Sequence, residues 1–204
     1  EQQRFDRAIG GAVRALGYDE IITYSFISPT YYDKIRMPKD SSLRNSLKIL
    51  NPLGEDTSIM RTTTLPSMLE ILTRNYNFRN KEVNLYELGR TYHLGGKDGL
   101  AIEKKYLTLG TYGAKVNFFT VKGLVEAIMK DLRAESVRFE ACTDNPSYHP
   151  GRCAKVYAGE TYLGVFGQIH PLVAANYGVD TELYCAELSL EKLLGACGPD
   201  PIYT

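Results

Sequence analysis

The 204-residue sequence has no tryptophan, three histidines, four cysteines and no excess of either charge, with 24 basic and 24 acidic side chains. Each shortage narrows the functions open to it. A balanced charge removes the general attraction to nucleic acid that a strongly basic domain carries, so only local patches remain to be weighed. Cys142, Cys153, Cys185 and Cys197 form no CxxC pair and no zinc-type spacing. Cys142, His149 and Cys153 are near neighbours, but a turn at Pro150-Gly151 leading into a strand accounts for them better than a metal does. The cysteines read as reduced thiols, as in a cytoplasmic protein. No apolar run approaches the ~20 residues of a membrane span, and no signal-peptide pattern opens the chain. What remains is ordinary globular composition, 44% hydrophobic and 24% charged. A single domain of this length buries roughly 70% of its unfolded surface.

Periodicity then sets out the elements. Phe5, Ala8, Ile9, Ala12, Val13 and Leu16 form one stripe of a helix over residues 2–16, stopped by Gly17. Strands are expected over 21–26 and 47–50, with a short helix over 30–35 between them. The stretch NPLGEDTSIMRTTTLPSMLE (51–70) begins with a Pro/Gly turn and becomes extended over 58–61. It then enters a helix whose apolar face is Leu65, Met68, Leu69 and Leu72, with Thr64 as the expected cap and Pro66 in the first turn. Strands follow over 83–93, with Gly89 a bulge or a point of close approach, and over 106–112. A second strong helix spans 117–132. A strand over 138–141 and a polar loop over 143–152 precede a hairpin of 153–158 with 162–169. A helix over 172–177, a strand over 183–188 and a helix over 190–194 capped by Ser189 complete the pattern.

Four stretches carry a resemblance: NPLGEDTSIMRTTTLPSMLE, VNLYELGRTY, NFFTVKGLVEAIM and YHPGRCAKVYAGETYLGVFGQIHP. In this order, over nearly the whole chain, they resemble the catalytic-like core of the β subunit of bacterial-type phenylalanyl-tRNA synthetases. The resemblance implies an α/β (α+β) fold of the class II synthetase type, a mostly antiparallel sheet flanked by helices. It implies residues 1–195 as the domain and 196–204 as a Gly/Pro linker towards a further C-terminal domain. Glu1 in place of Met reads as an excised fragment or a trimmed terminus. The link at 113–116 is shorter than the family leads one to expect.

The resemblance also sets functional expectations. The domain would do no chemistry itself and would scaffold a catalytic α subunit in an (αβ)2 tetramer. That holoenzyme uses ATP and Mg2+ to join phenylalanine to tRNA, and the domain itself holds neither cofactor. Phe5, Ile9, Val13, Met60, Arg61, Leu65 and Met68 are the expected subunit interface, through which the isolated chain would self-associate. Three positions read as degenerate remnants of nucleotide-binding motifs: Arg90, Glu187 and Lys192. Where class II enzymes carry a glycine-rich strand and an arginine for phosphate, this chain has Cys185-Ala186-Glu187-Leu188-Ser189-Leu190-Glu191-Lys192. A lysine lacks the bidentate fork of arginine. Two other readings stay open: a stand-alone class II-like ATP-dependent ligase, and an RNA-binding module. The latter would use Arg74, Arg79 and Lys81 with Tyr76 and Phe78.

Overall fold

The computed structural model describes residues 2–198. A seven-stranded sheet organises them, in the order β1-β4-β5-β9-β8-β7-β6. The strands are β1 (Asp19–Glu20), β4 (Val83–His93), β5 (Ile102–Tyr112), β6 (Val137–Ala141), β7 (Tyr148–Ala158), β8 (Thr161–Ile169) and β9 (Tyr184–Ser189). Only the β1–β4 pair is parallel; every other neighbour is antiparallel, as expected. β9 lies at the centre, with Glu187 opposite Thr108 of β5 on one side and Val165 of β8 on the other.

Both faces are covered. α1 (Gln2–Ala15), α4 (Phe118–Asp131) and α6 (Leu190–Ala196) pack on one, where Ile9, Val13, Val125, Ile128, Phe166 and Leu188 are fully buried. On the other lie α2 (Tyr31–Lys34), α3 (Leu65–Asn77) and α5 (Pro171–Asn176), around Tyr32, Met68, Leu69, Leu72, Val173 and Cys185. A two-stranded sheet of β2 (Phe26–Ile27) and β3 (Ile59–Met60) belongs to this second layer. Side chains alternate along a strand, so Cys185 and Glu187 face the α3 side while Ala186 and Leu188 face the α1 side.

Several local expectations change. The stretch 21–25 is not a strand. Its polar backbone groups are taken up elsewhere: Thr23 N donates to the Glu87 carboxylate, and Ser25 O accepts from Arg61 N. The stretch 47–50 makes a single bridge, Lys48 to Ile59, instead of a strand. The loop expected over 143–152 gives way to β7 from Tyr148, which pairs with Ile169 before a register shift. Thr64 does not cap α3. Its hydroxyl bonds that of Thr108 at 2.5 Å, and Thr63 Oγ1 accepts from Leu65 N. At the expected domain boundary, α6 continues to Ala196, and Gly198 N donates to Leu132 O. Residues 199–204 of that linker lie outside the described residues.

The seven expected interface residues sit mainly inside the chain. Phe5, Ile9, Val13, Arg61, Leu65 and Met68 are buried and Met60 is half-buried. Their amphipathic spacing marks faces that are consumed by the chain's own sheet and helices, so those side chains are not presented to a partner.

Candidate functional site

Two carboxylates stand on the α3 face of the sheet, and their surroundings differ. Glu87 on β4 is paired with Arg61 at 3.2 Å, both at most 3% exposed. Arg61 Nε donates to Arg90 O at 2.8 Å, and its Nη1 donates to Thr23 Oγ1. Thr23 in turn donates to Glu87 through its amide at 2.9 Å and its hydroxyl at 2.8 Å. The guanidinium therefore runs across the backbone of β4 at Gly89, where a Cβ would lie 2.9 Å from Arg61 Nη2. This is the close approach expected at Gly89. The cluster ties the 21–25 segment, the entry to α3 and β4 together, and it presents no free charge.

Glu187, on the central strand, has no such partner. Its Oε1 accepts from Thr63 Oγ1 at 2.9 Å and its Oε2 from the Tyr148 hydroxyl at 2.8 Å. No ion pair reaches it among the described residues. Burial raises its carboxyl above the usual range, and the two hydrogen bonds pull it partly back. Burial, followed by the adjacent Glu187, also pushes the Tyr148 phenol well up.

Above Glu187 is a cleft of two chambers of about 330 and 220 Å³. Both are lined by Leu43, Thr63, Asn145, Tyr162, Val165 and Glu187. Ile35, Met37 and Leu65 make the first chamber apolar on one side. Lys155 and Asp144, bonded to each other at 3.2 Å, line it on another. Lys192 borders the second chamber, with its Nζ 5.4 Å from the centre of the Tyr162 ring. No arginine lines either chamber among the described residues. A polyphosphate seated here would meet a carboxylate without the guanidinium fork that matches its oxygens. The residues do not fit a nucleoside triphosphate. Nor do the described residues contain a group of three or more His, Cys, Asp or Glu side chains placed to hold a metal ion.

The other expected sites lie apart. Arg90 is exposed and paired with Glu103 at 2.7 Å. Arg79 and Lys81 line a surface depression of about 660 Å³ with Tyr76 and Tyr112, at the C-terminal end of α3. Arg74 lines a separate one beside the exposed Phe78. A 13-residue helix puts these cations about 20 Å from Thr63. The His149 ring accepts from Gly151 N at 3.0 Å and orders its own turn. Glu187 was legible as a misplaced acid. Tyr148, Thr63 and Tyr162 were not, because a run of threonines before a helix reads as a cap and a tyrosine before His-Pro-Gly reads as loop.

Comparison with solved structures defines the class. The crystal structure of pyrrolysyl-tRNA synthetase from Desulfitobacterium hafniense superposes with a TM-score of 0.76 over 95% of this chain and 68% of that one. At 14% identity the likeness is one of fold, that of class II aminoacyl-tRNA synthetases. Sequence comparison goes further. The profile described as "Phenylalanyl tRNA synthetase beta chain CLM domain" matches residues 1–190, and the chain belongs to that family. The phenylalanine–tRNA ligase β subunits of Clostridium tetani and Clostridium acetobutylicum are 43% and 44% identical over 179 residues, 87% of this chain. That of Carboxydothermus hydrogenoformans is 34% identical over the whole chain. The chain spans only 22–27% of the length of these relatives.

Proposed function

We propose that this chain is a non-catalytic domain of a phenylalanine–tRNA ligase β subunit, acting as a scaffold for a catalytic α subunit. The assembly is a cytoplasmic (αβ)2 tetramer in which ATP, Mg2+, phenylalanine and the reacting end of tRNA are handled outside this domain. The names of the relatives support the subunit reading. The observation that carries the non-catalytic reading is Glu187, a carboxylate with no ion-pair partner among the described residues, at the floor of a cleft that none of the described arginines lines.

A scaffold needs a surface, and the side chains expected to supply it are buried. The three most exposed large apolar side chains all lie in the segment between α1 and α3. Leu50 and Leu53 are 95% and 99% exposed, and Ile22 and Tyr24 are exposed as well. Large apolar groups presented this fully mark a protein contact when they cluster on one segment. In the isolated chain the same surface favours self-association. The test is subunit association measured with Leu50→Asp and Leu53→Asp. Buried charges at an interface weaken assembly by about tenfold or more, while circular dichroism of the domain stays unchanged. Unchanged association in the double variant rules out this surface.

A further inference from the structure

We propose that the cleft over β9 is a binding site for a small monovalent ammonium ligand with an apolar body, its charge seated on the Glu187 carboxylate. The contrast between the two carboxylates on this face is the starting point. Glu87 has its guanidinium at 3.2 Å. Glu187 has two hydroxyl donors and, among the described residues, no ion-pair partner, in a cleft that is open to a ligand. Each carboxylate oxygen has accepted one bond, and a carboxylate offers about four acceptor sites, so two are free for N–H donors.

The walls define the rest of the ligand. Leu43 and Val165 line both chambers, and Ile35, Met37 and Leu65 line the first, so the body attached to the ammonium is apolar. The combined space suits a ligand of fragment size. Lys192 at the rim of the second chamber disfavours a second positive charge there, while Lys155 in the first is offset by Asp144, so the second chamber favours a monoamine over a polyamine. Glu187 disfavours an anionic group at the floor.

Binding is coupled to a proton. Without the ligand, burial raises the Glu187 carboxyl above its ordinary range, and an ammonium beside it favours the ionised form. The groups that face it are Tyr106 from β5, Tyr148 and Cys153 from β7, Tyr162 from β8, Cys185 on β9 and Lys192 from α6, with the Asp144–Lys155 pair lining the first chamber. Burial pushes all three phenols and both thiols upwards, so they stay neutral near neutral pH. The proton released on binding therefore comes from Glu187.

The test is calorimetric titration of the full protein carrying this chain with benzylammonium and with benzyl alcohol, its neutral isostere. It is run from acidic to neutral pH, at each pH in two buffers of different ionisation enthalpy. Benzylammonium is expected to bind about ten- to a hundredfold more tightly than the alcohol, the range of a charge-assisted hydrogen bond. Its heat should differ between buffers with the sign of proton release. Glu187→Gln should abolish both the preference and the buffer dependence. A second variant, Leu43→Trp at the rim, leaves the floor intact and should exclude both probes. Equal binding of the two probes, no binding of the ammonium at millimolar concentration, wild-type preference in Glu187→Gln, or full ammonium binding in Leu43→Trp each overturns the proposal. None of these outcomes bears on the scaffold role, which subunit association tests separately.

Discussion

Breaking the Arg61–Glu87 pair should destabilise the domain more than any surface change, and the size of the effect follows from its burial. Arg61 is 1% exposed and Glu87 is 3% exposed, so removing either charge leaves the other stranded away from water. Such losses cost about 3–5 kcal/mol. Glu87→Leu belongs at the upper end, because it orphans the guanidinium and also the Thr23 amide and hydroxyl that donate to the carboxylate. Arg61→Met belongs at the lower end, about 3 kcal/mol, since Thr23 still satisfies the carboxylate while Met preserves most of the packing volume. The double variant removes both charges together and should fall short of the sum of the singles by about 2 kcal/mol. Urea unfolding followed by circular dichroism reads this directly. With a slope of about 2 kcal/mol/M, a 3 kcal/mol loss moves the midpoint by about 1.5 M. Singles within about 0.5 kcal/mol of the parent, or strictly additive singles, would refute the assignment of this pair as the structural tie between β4 and the entry to α3.

Three further changes are predicted. Asn117→Ala removes the cap of α4, whose side chain accepts from Phe119 N and Thr120 N while Thr120 returns a bond to the cap backbone; the loss is about 1 kcal/mol by urea unfolding. Gly110→Ala places a Cβ 2.5 Å from Met68 Sδ, overpacking the α3–β5 contact by about 1–3 kcal/mol, and Met68→Ala in the same chain should recover part of that loss. For Glu187 the sign follows from its raised carboxyl. Below the ordinary value near 4.5 both folded and unfolded states are protonated. As pH rises past that value the unfolded chain gives up its proton first, so the folded state loses stability until its own higher value is passed. Unliganded Glu187→Gln lacks this loss, and its stability relative to the parent should rise from pH 4 towards neutrality; parallel curves would contradict it.

The sheet and its helices were legible because their signals are local and long. The stripe of α1, the eleven-residue strand β4 and the capped α4 each repeat one period over many residues. The misreadings fall where tertiary bonds replace local ones. At 21–25 alternation suggested a strand, but the Thr23 amide bonds a side chain rather than a neighbouring strand. At Thr64 the cap position was right in sequence, but the hydroxyl turns to Thr108. The interface reading meets the same limit. An apolar helix stripe says that a face is covered, and it does not say whether the cover is the chain itself or a partner; for Ile9, Val13 and Met68 it is the chain. The site was half legible. Glu187 stood out by its chemistry, but Tyr148 and Thr63 reach it from 39 and 124 residues away, a distance no periodicity spans.

The central claim is that this class II-type domain carries no nucleotide chemistry. Its most direct test is calorimetric titration of the protein with ATP and Mg2+, with and without phenylalanine. The predicted result is no saturable heat up to millimolar ATP, because a triphosphate over Glu187 finds no arginine among the residues lining the cleft. Saturable binding that Glu187→Gln or Lys192→Ala alters would contradict the account and place an active ligase in this chain.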